Sequence, residues 1–205
     1  IANCLAYDPS FAYEVAVIMQ KALKRMVQDQ ENVFYYITLL NENYAMPGLQ
    51  AGTEEQIIKG MYLLSEPQPS AQGLQVNLLG CGSILRESIA AQKLLQEDWG
   101  VSANVWSCPS FNELAREGQD CERWNLLHPT ATPRVSFVAQ QLGKYVGAVV
   151  ASTDYMKAYA EQIRPFLPNG RRYKVLGTDG FGRSDFRYRL REHFEINRHY
   201  IAVAA

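Results

Sequence analysis

The sequence lacks the residue patterns that mark several large classes of protein. Its four cysteines, Cys4, Cys81, Cys108 and Cys121, have neither the CxxC spacing of zinc sites nor the density of a disulfide scaffold. No apolar run approaches the ~20 residues that a membrane-spanning helix needs, and no basic segment leads into an apolar one at the start of the chain. These features predict a cytoplasmic protein with no membrane partner, and the start at Ile1 in mid-pattern predicts a piece of a longer chain.

Charge of one sign is not in excess, since 20 Lys and Arg residues face 21 Asp and Glu residues. This balance implies no overall electrostatic attraction to the phosphates of nucleic acid. Only residues 164–191 are locally basic, and Asp179 and Asp185 interrupt that stretch. We interpret it as a solvated face and expect no nucleic-acid partner.

Motifs of hydrolases and metalloenzymes are also missing. HExxH and GxSxG do not occur, and His193 and His199 have no partners at metal-ligand spacing. Cys121 and His128 would share a helix face two turns apart, but Pro129 is predicted to end that helix. A structural role is favoured for this pair over that of a nucleophile and its base.

Two glycine-containing strings follow predicted strands. Residues 80–83, Gly-Cys-Gly-Ser, lie where a phosphate-binding loop would lie, but Leu85 replaces the third glycine of GxGxxG and no acidic residue near Val105 is placed to bind a ribose. They predict a tight turn in which Ser83 caps a helix. Residues 177–185 contain three glycines, which favours a structural turn over a binding loop.

Strand patterns alternate with helical patterns of 10–15 residues, in a sequence that is 47% hydrophobic and 20% charged. This alternation predicts an α/β fold of three layers, with helices on both faces of a mostly parallel sheet. Residues 33–39 have apolar side chains on both faces, which predicts a largely buried strand. The predicted strands are 33–39, 62–64, 74–79, 101–108, 148–151, 173–176 and 200–204, and the predicted helices are 11–26, a short one from 53, 84–98, one from 110, 154–164 and 185–194.

Turn-forming and polar residues predict the boundaries of these elements. Asn, Pro and Gly residues at 41–52 break regular structure, so we place a domain boundary near residue 45. Residues 1–45 are then an incomplete domain, residues 46–205 form a second one, and a loop with Pro and Ser covers 66–73. The predicted helix caps are Ser10, Thr53 with Gln56, Ser110 with Glu113, and Asp185.

Strings along almost the whole chain resemble the homodimeric type of pyruvate dehydrogenase, the decarboxylating component of its complex, and more distantly the transketolases. They are YDP at 7–9, AYEVAVIM at 12–19, YYIT at 35–38, LNENY at 40–44, GSILR at 82–86, ELAREGQDCERWN at 113–125, ASTDYM at 151–156 and GTDGFGRSD at 177–185. The resemblance implies that residues 1–45 end a pyrimidine-binding domain and that residues 46–205 form a transketolase-like C-terminal domain.

The resemblance also implies an activity. Such a homodimeric enzyme decarboxylates pyruvate on thiamine diphosphate with Mg²⁺ and acetylates the lipoyl group of the dihydrolipoyl acetyltransferase. Its Mg²⁺ ligands come from a Gly-Asp-Gly string and an Asn pair, of which 178–180 is only a partial likeness, and its activating glutamate and pyruvate-facing histidines belong to segments before Ile1. We therefore expect no catalytic, cofactor-binding or metal-binding residue here, and an inactive structural module that binds no cofactor alone.

One segment of the chain is a candidate for contact with substrate. In transketolases the loop after the strand that corresponds to 33–39 places an arginine near the sugar phosphate. Here the polar residues Asn41, Glu42 and Asn43 follow, which agrees with a substrate that has no phosphate and predicts a substrate-channel role. Alternatively, these side chains satisfy loop backbone groups, and the whole chain is a free-standing transketolase-like binding or regulatory module.

Overall fold

Two β-sheets with helices packed against them make up the computed structural model, which describes residues 1–67, 70 and 73–205. The predicted loop 66–73 therefore lies partly outside the described residues. None of the described helices is long and apolar enough to pass through a membrane. Along the chain the elements are β1 (Cys4–Tyr7), α1 (Ala12–Leu23) with a π-helical turn (Lys24–Gln28), β2 (Phe34–Ile37), α2 (Glu54–Lys59), β3 (Tyr62–Ser65), β4 (Gln75–Gly80), α3 (Leu85–Trp99), β5 (Ser102–Ser107), α4 (Phe111–Leu127), α5 (Phe137–Leu142), β6 (Ala148–Ser152), α6 (Lys157–Glu161), β7 (Tyr173–Leu176), α7 (Arg187–His193) and α8 (Arg198–Ala204).

The larger sheet has its strands in the order β3-β5-β4-β6-β7, and β3 runs antiparallel to β5 while the other neighbours are parallel. Leu79 on β4 aligns with Trp106 on β5 and with Ala151 on β6. Strand β5 is buried along its whole length, as expected for a parallel strand that is covered on both faces. Helices α4, α5 and α6 pack on one face, and α3 and α8 pack on the other. The predicted three-layer α/β fold is confirmed.

The segment predicted as the last strand, 200–204, is instead part of helix α8. The side chain of Asn197 caps this helix by accepting hydrogen bonds from His199 N (3.0 Å) and Tyr200 N (3.2 Å). Ile201 is fully buried whereas Val203 is 85% exposed, although both would lie on one face of a strand. The apolar run at 200–204 is consistent with a strand on its own, but the residue that starts the helix, Asn197, lies before that run.

The smaller sheet consists of β1 and β2, which are parallel and align Tyr7 with Ile37. Strand β1 was not predicted, because it has only four residues and no distinctive composition. One face packs under α1, where Leu5 and Ile18 are buried. The other face is open. The predicted burial of residues 33–39 is therefore wrong for Phe34 and Tyr36, which are 42% and 62% exposed.

A buried carboxylate joins α1 to the larger sheet. Glu14 has no exposed surface, and its Oε1 accepts hydrogen bonds from Tyr62 Oη on β3 and Ser107 Oγ on β5, both at 2.6 Å. Its Oε2 accepts from the backbone N–H groups of Ser10 and Phe11, the latter at 3.1 Å. Burial raises the pKa of Glu14, while the four donors oppose that rise by stabilising the charged form. Glu14 thus connects α1, which covers the smaller sheet, to two strands of the larger sheet.

Two helices start at the predicted residues, Thr53 before α2 and Ser110 before α4. Ser110 Oγ accepts a hydrogen bond from Glu113 N at 3.1 Å and caps α4, whereas the Thr53 side chain makes no cap bond. At α1 the carboxylate of Glu14 reaches back to the helix start, so that Ser10 is not needed as a cap. The predicted side-chain bond of Thr53 is wrong, because its hydroxyl donates to Gln50 O. The other predicted caps are wrong in position: α1 begins after Phe11, α7 begins after Phe186, and Ser83 lies inside a 3₁₀ turn (Gly82–Ile84).

Candidate functional site

The carboxyl ends of strands from both sheets meet at one place, which we call the strand-end junction. Asp8 follows β1 and Thr38 follows β2, while Gly82 and Thr153 lie just after β4 and β6. Thr38 Oγ1 donates to Asp8 Oδ1, and Gly82 N donates to Asp8 O at 3.1 Å. The carboxyl ends of parallel strands are where α/β proteins bind ligands. The strand-end junction is therefore the candidate functional site.

Asp8 is enclosed at this junction rather than open to a ligand. Its side chain is buried, and burial raises its pKa, although hydrogen bonds from Thr38 and Cys81 oppose that rise. Gly82 has a φ of +51°, and a Cβ at this position would lie 2.6 Å from Asp8 Oδ2. Residues 80–83 thus form a turn that closes on the carboxylate. Asp8 connects the two sheets, and its carboxylate has almost no exposed surface.

The predicted substrate-channel residues lie beside this junction and contact arginines. The carboxylate of Glu42 forms ion pairs with Arg86 and Arg191, each at 2.7 Å, and with Arg187 at 3.9 Å. Burial alone would raise the pKa of Glu42, but the hydrogen bond and charge of Arg191, with the other two arginines, hold it below its ordinary value. Asn41 Oδ1 accepts a hydrogen bond from Arg187. The structure thus brings Asn41 and Glu42 onto helix α7.

Asn43, the third predicted channel residue, is exposed, and a channel role for residues 41–43 stays a prediction.

The interpretation of residues 164–191 as a solvated face is wrong for two arginines. The Arg191 side chain is 11% exposed, and Arg171 donates to the carbonyl groups of Leu142, Tyr145 and Gly147. Sequence spacing gave no sign of these partners, because all of them are distant along the chain.

A second carboxylate extends the arginine network. Glu87 on α3 is 6% exposed and accepts hydrogen bonds from Arg198 N at 3.0 Å and from Arg198 Nε at 2.9 Å. Arg191 lies 3.5 Å away on its other side. Burial would raise the pKa of Glu87, but the bonds from Arg198 and the charge of Arg191 hold it below its ordinary value. Helices α3, α7 and α8 are tied together by this group.

The lowered pKa of Glu87 predicts how its contribution depends on pH. An unfolded glutamate titrates near 4.5, so the stabilisation from Glu87 is fully present above that pH and is lost as the pH falls through the lower folded value. We expect the difference in unfolding free energy between the native chain and Glu87→Gln to be largest above about pH 5 and to shrink toward pH 3. Urea unfolding across this range measures it, with exposed Glu122→Gln as the control. A difference that stays constant with pH would contradict the assignment.

Cys121 and His128 are not brought together as a catalytic pair. Helix α4 ends at Leu127, in agreement with the predicted effect of Pro129. Partial burial and the neighbouring carboxylate of Glu117, 3.2 Å from Cys121 Sγ, raise the pKa of the thiol to about 11, so that it stays protonated at neutral pH. His128 instead stacks on Trp124, with ring centroids 4.5 Å apart.

The described residues offer no cluster of carboxylates for a Mg²⁺ diphosphate group. Among the described residues, no three His, Cys, Asp or Glu side chains converge as a metal would require. Asp179, in the partial likeness at 178–180, is exposed. Its carboxylate accepts a hydrogen bond from the backbone N–H of Lys157 (2.9 Å) and forms an ion pair with Lys157 Nζ (3.4 Å). A divalent cation would have to displace that ion pair and find its other ligands elsewhere.

Sequence profiles of two protein families match the chain. The profile of the transketolase-like TK C-terminal domain matches residues 60–197, and that of the pyruvate dehydrogenase E1 component middle domain matches residues 1–47. Over the whole chain, the sequence is 57% identical to the pyruvate dehydrogenase E1 component of Cupriavidus necator and 56% identical to that of Escherichia coli K12. The chain spans 23% of the length of each of these relatives.

Solved structures support the fold independently of close sequence similarity. The transketolase of Campylobacter jejuni superposes on 98% of this chain, which corresponds to 25% of that protein, with a TM-score of 0.65 and 18% identity. The transketolase of Leishmania mexicana gives a TM-score of 0.62 at 18% identity, over 98% of this chain and 24% of that one. At this level of identity the likeness shows the fold alone.

Proposed function

The chain belongs to the family of transketolase-like C-terminal domains, and from that premise we propose that it is the carboxyl-terminal part of a pyruvate dehydrogenase E1 component. One observation carries the proposal, namely the identity of 57% across all 205 residues to a relative of that name. The identity continues through the segment that matches the E1 middle domain. Transketolases share the fold at 18% identity and are a weaker guide to the reaction.

The whole enzyme, on this proposal, decarboxylates pyruvate in the cytoplasm as a homodimer and passes the acetyl group to the lipoyl group of the acetyltransferase. Thiamine diphosphate supplies the carbanion chemistry when it is bound. The cofactor and Mg²⁺ ligands belong to parts of the enzyme beyond this chain. The proposal is supported by the relatives, which are about four times as long as the chain.

The role that we propose for this chain within the enzyme is structural, namely to hold two domains together. Glu14 and Asp8 connect the small sheet to the larger sheet, and Glu42 connects the loop after β2 to α3 and α7. Three buried or half-buried carboxylates thus fix the end of the middle domain on the C-terminal domain. Such ties hold the active-site elements of the middle domain at a set position, which catalysis by positioning requires.

The loop after β2 is also our candidate for the edge of the substrate channel. Glu42 and Asn41 are held by arginines, whereas Asn43 is exposed and offers its amide to solvent. We expect Asn43→Ala to raise the KM for pyruvate severalfold with little change in kcat, while exposed Asn32→Ala leaves both unchanged. Equal effects of the two substitutions would remove Asn43 from the channel.

The reaction is tested with the full-length protein. With thiamine diphosphate and Mg²⁺, we expect pyruvate to acetylate a lipoyl domain of the acetyltransferase, whereas 2-oxoglutarate and ketose phosphates give no product. The acetylated lipoyl domain is detected by mass spectrometry. Transfer of a two-carbon ketol group from a ketose phosphate, in the absence of pyruvate chemistry, would assign the protein to the transketolase reaction instead.

A further inference from the structure

A cavity of about 300 Å³ lies at the carboxyl ends of β4 and β6, under the glycine-containing loop that follows β7. Strands β4 and β6 are neighbours, but the helices that follow them pack on opposite faces of the sheet, α3 on one and α6 on the other. This is the point where the topology of the sheet reverses, and α/β proteins bind ligands in the crevice at such a point. The volume is at the lower end of the range for small-molecule sites.

The lining of the cavity is rich in groups that bind anions. Arg183, Arg187 and Arg191 line it, with Asp154 as the lining carboxylate. Glu42 reaches Arg187 and Arg191 from one side. In the described part of the chain Arg183 has no ion pair, and its guanidinium lies 3.5 Å from the neighbouring Gly182 O. The site therefore keeps a positive charge that its own carboxylates do not neutralise.

Hydroxyl groups and apolar side chains define the rest of the site. Ser83 Oγ lies 3.1 Å from Arg191 and 2.9 Å from Asp154 Oδ2. Thr178 also lines the cavity, and its hydroxyl donates to the backbone carbonyl of Asp154. Leu190 and Phe194 provide an apolar wall. Planar guanidinium groups with nearby hydroxyls match the oxygens of a phosphate, and the apolar wall suits a short carbon chain.

We propose that this cavity binds a small phosphate monoester, with the phosphate between Arg183 and Arg187. The bound dianion neutralises the unpaired charge of Arg183 and takes over part of the interactions of Arg187, which now donates a hydrogen bond to Asn41 and lies 3.9 Å from Glu42. Because Asn41 and Glu42 both contact Arg187, a bound ligand alters how the loop after β2 is held. The site is independent of the proposed reaction, and either proposal stands if the other fails.

The test is a calorimetric titration of the full-length protein, saturated with thiamine diphosphate and Mg²⁺, with inorganic phosphate and with glycerol phosphate at constant ionic strength. We expect saturable binding of both probes. Arg183→Gln and Arg187→Gln should each weaken it about tenfold, the loss expected for one charge-assisted hydrogen bond. Arg189→Gln is the matched control. Arg189 lies on helix α7 with Arg187, forms an ion pair with Glu192 and is not part of the cavity lining. Circular dichroism and the unfolding midpoint confirm that each variant is folded.

Two results would overturn the proposal. The first is the absence of saturable binding of either probe to the folded, native full-length protein. The second is an equal loss of affinity in Arg189→Gln and the two cavity variants, which would show general attraction to basic side chains. Malonate, a dicarboxylate with the same charge, separates the two kinds of anion. Weaker binding of malonate supports a phosphate site, and tighter binding of malonate contradicts it.

Discussion

Replacing Glu14 with alanine is expected to lower the free energy of unfolding by about 3–5 kcal/mol, one of the two largest effects of single substitutions in this chain. The change removes the acceptor for four donors at once, namely Tyr62, Ser107 and the backbone N–H groups of Ser10 and Phe11. All four lie in a region from which water is excluded, so they would stay unpaired or draw water into the core. Urea denaturation followed by circular dichroism measures the loss.

Glu122→Ala is the matched control for this experiment, because Glu122 is an exposed glutamate on helix α4. A surface substitution of this kind changes stability by no more than about 0.5 kcal/mol. A Glu14→Ala loss similar to that of the control would mean that the carboxylate is not the tie between the sheets. Glu14→Gln should fall between the two, because an amide keeps one acceptor oxygen but presents N–H groups to donors.

Gly147→Val is expected to destabilise the chain by at least about 3 kcal/mol. Gly147 precedes β6 with a φ of +93°, a backbone conformation that side chains with a Cβ rarely adopt, and an added Cβ would overlap the carbonyl of Gln75 on the neighbouring strand β4. Because the obstacle is backbone in the centre of the sheet, it cannot move aside without breaking the register of β4 and β6. Thermal unfolding and expression as soluble protein both report the effect.

The control for Gly147 is Gly48→Val. No atom lies within 4 Å of the Cβ position at Gly48, and its φ is not in the left-handed region. This variant should unfold within a few degrees of the native chain. If both glycine variants unfold alike, the close approach of the residue before β6 to strand β4 is not present in solution.

Much of the fold could be predicted from the sequence because local pattern and burial agree. Strands such as β6 consist of apolar and small residues between turn signals, and helix α4 has both a Ser110 cap and Pro129 after its end. The errors occur where a partner from elsewhere decides the structure. Residues 200–204 are apolar enough for a strand, but Asn197 caps them as a helix. Residues 33–39 look buried, yet one face of β2 has no cover in this chain.

The candidate site could be predicted only in part. The resemblance predicts residues 41–43 as site residues, and the structure places Asn41 and Glu42 at an arginine network. No local pattern predicts the arginines, because Arg86 and Arg191 are 44 and 149 residues from Glu42 along the chain. Asp8 occurs in the YDP string at 7–9, but the string alone predicts no role for it. An acidic residue directly after a strand is a weak signal, and only the two sheets together show that its carboxylate is enclosed by Thr38 and Gly82.

Our central claim is that this chain is part of a pyruvate dehydrogenase E1 component and supports the active site without holding the cofactor. Titration with thiamine diphosphate and Mg²⁺ tests this claim most directly. The 205-residue chain and the full-length protein are titrated side by side in a calorimeter, with circular dichroism to confirm that both are folded. We predict saturable micromolar binding to the full-length protein and none to the 205-residue chain. Saturable micromolar binding to the folded 205-residue chain would contradict the account.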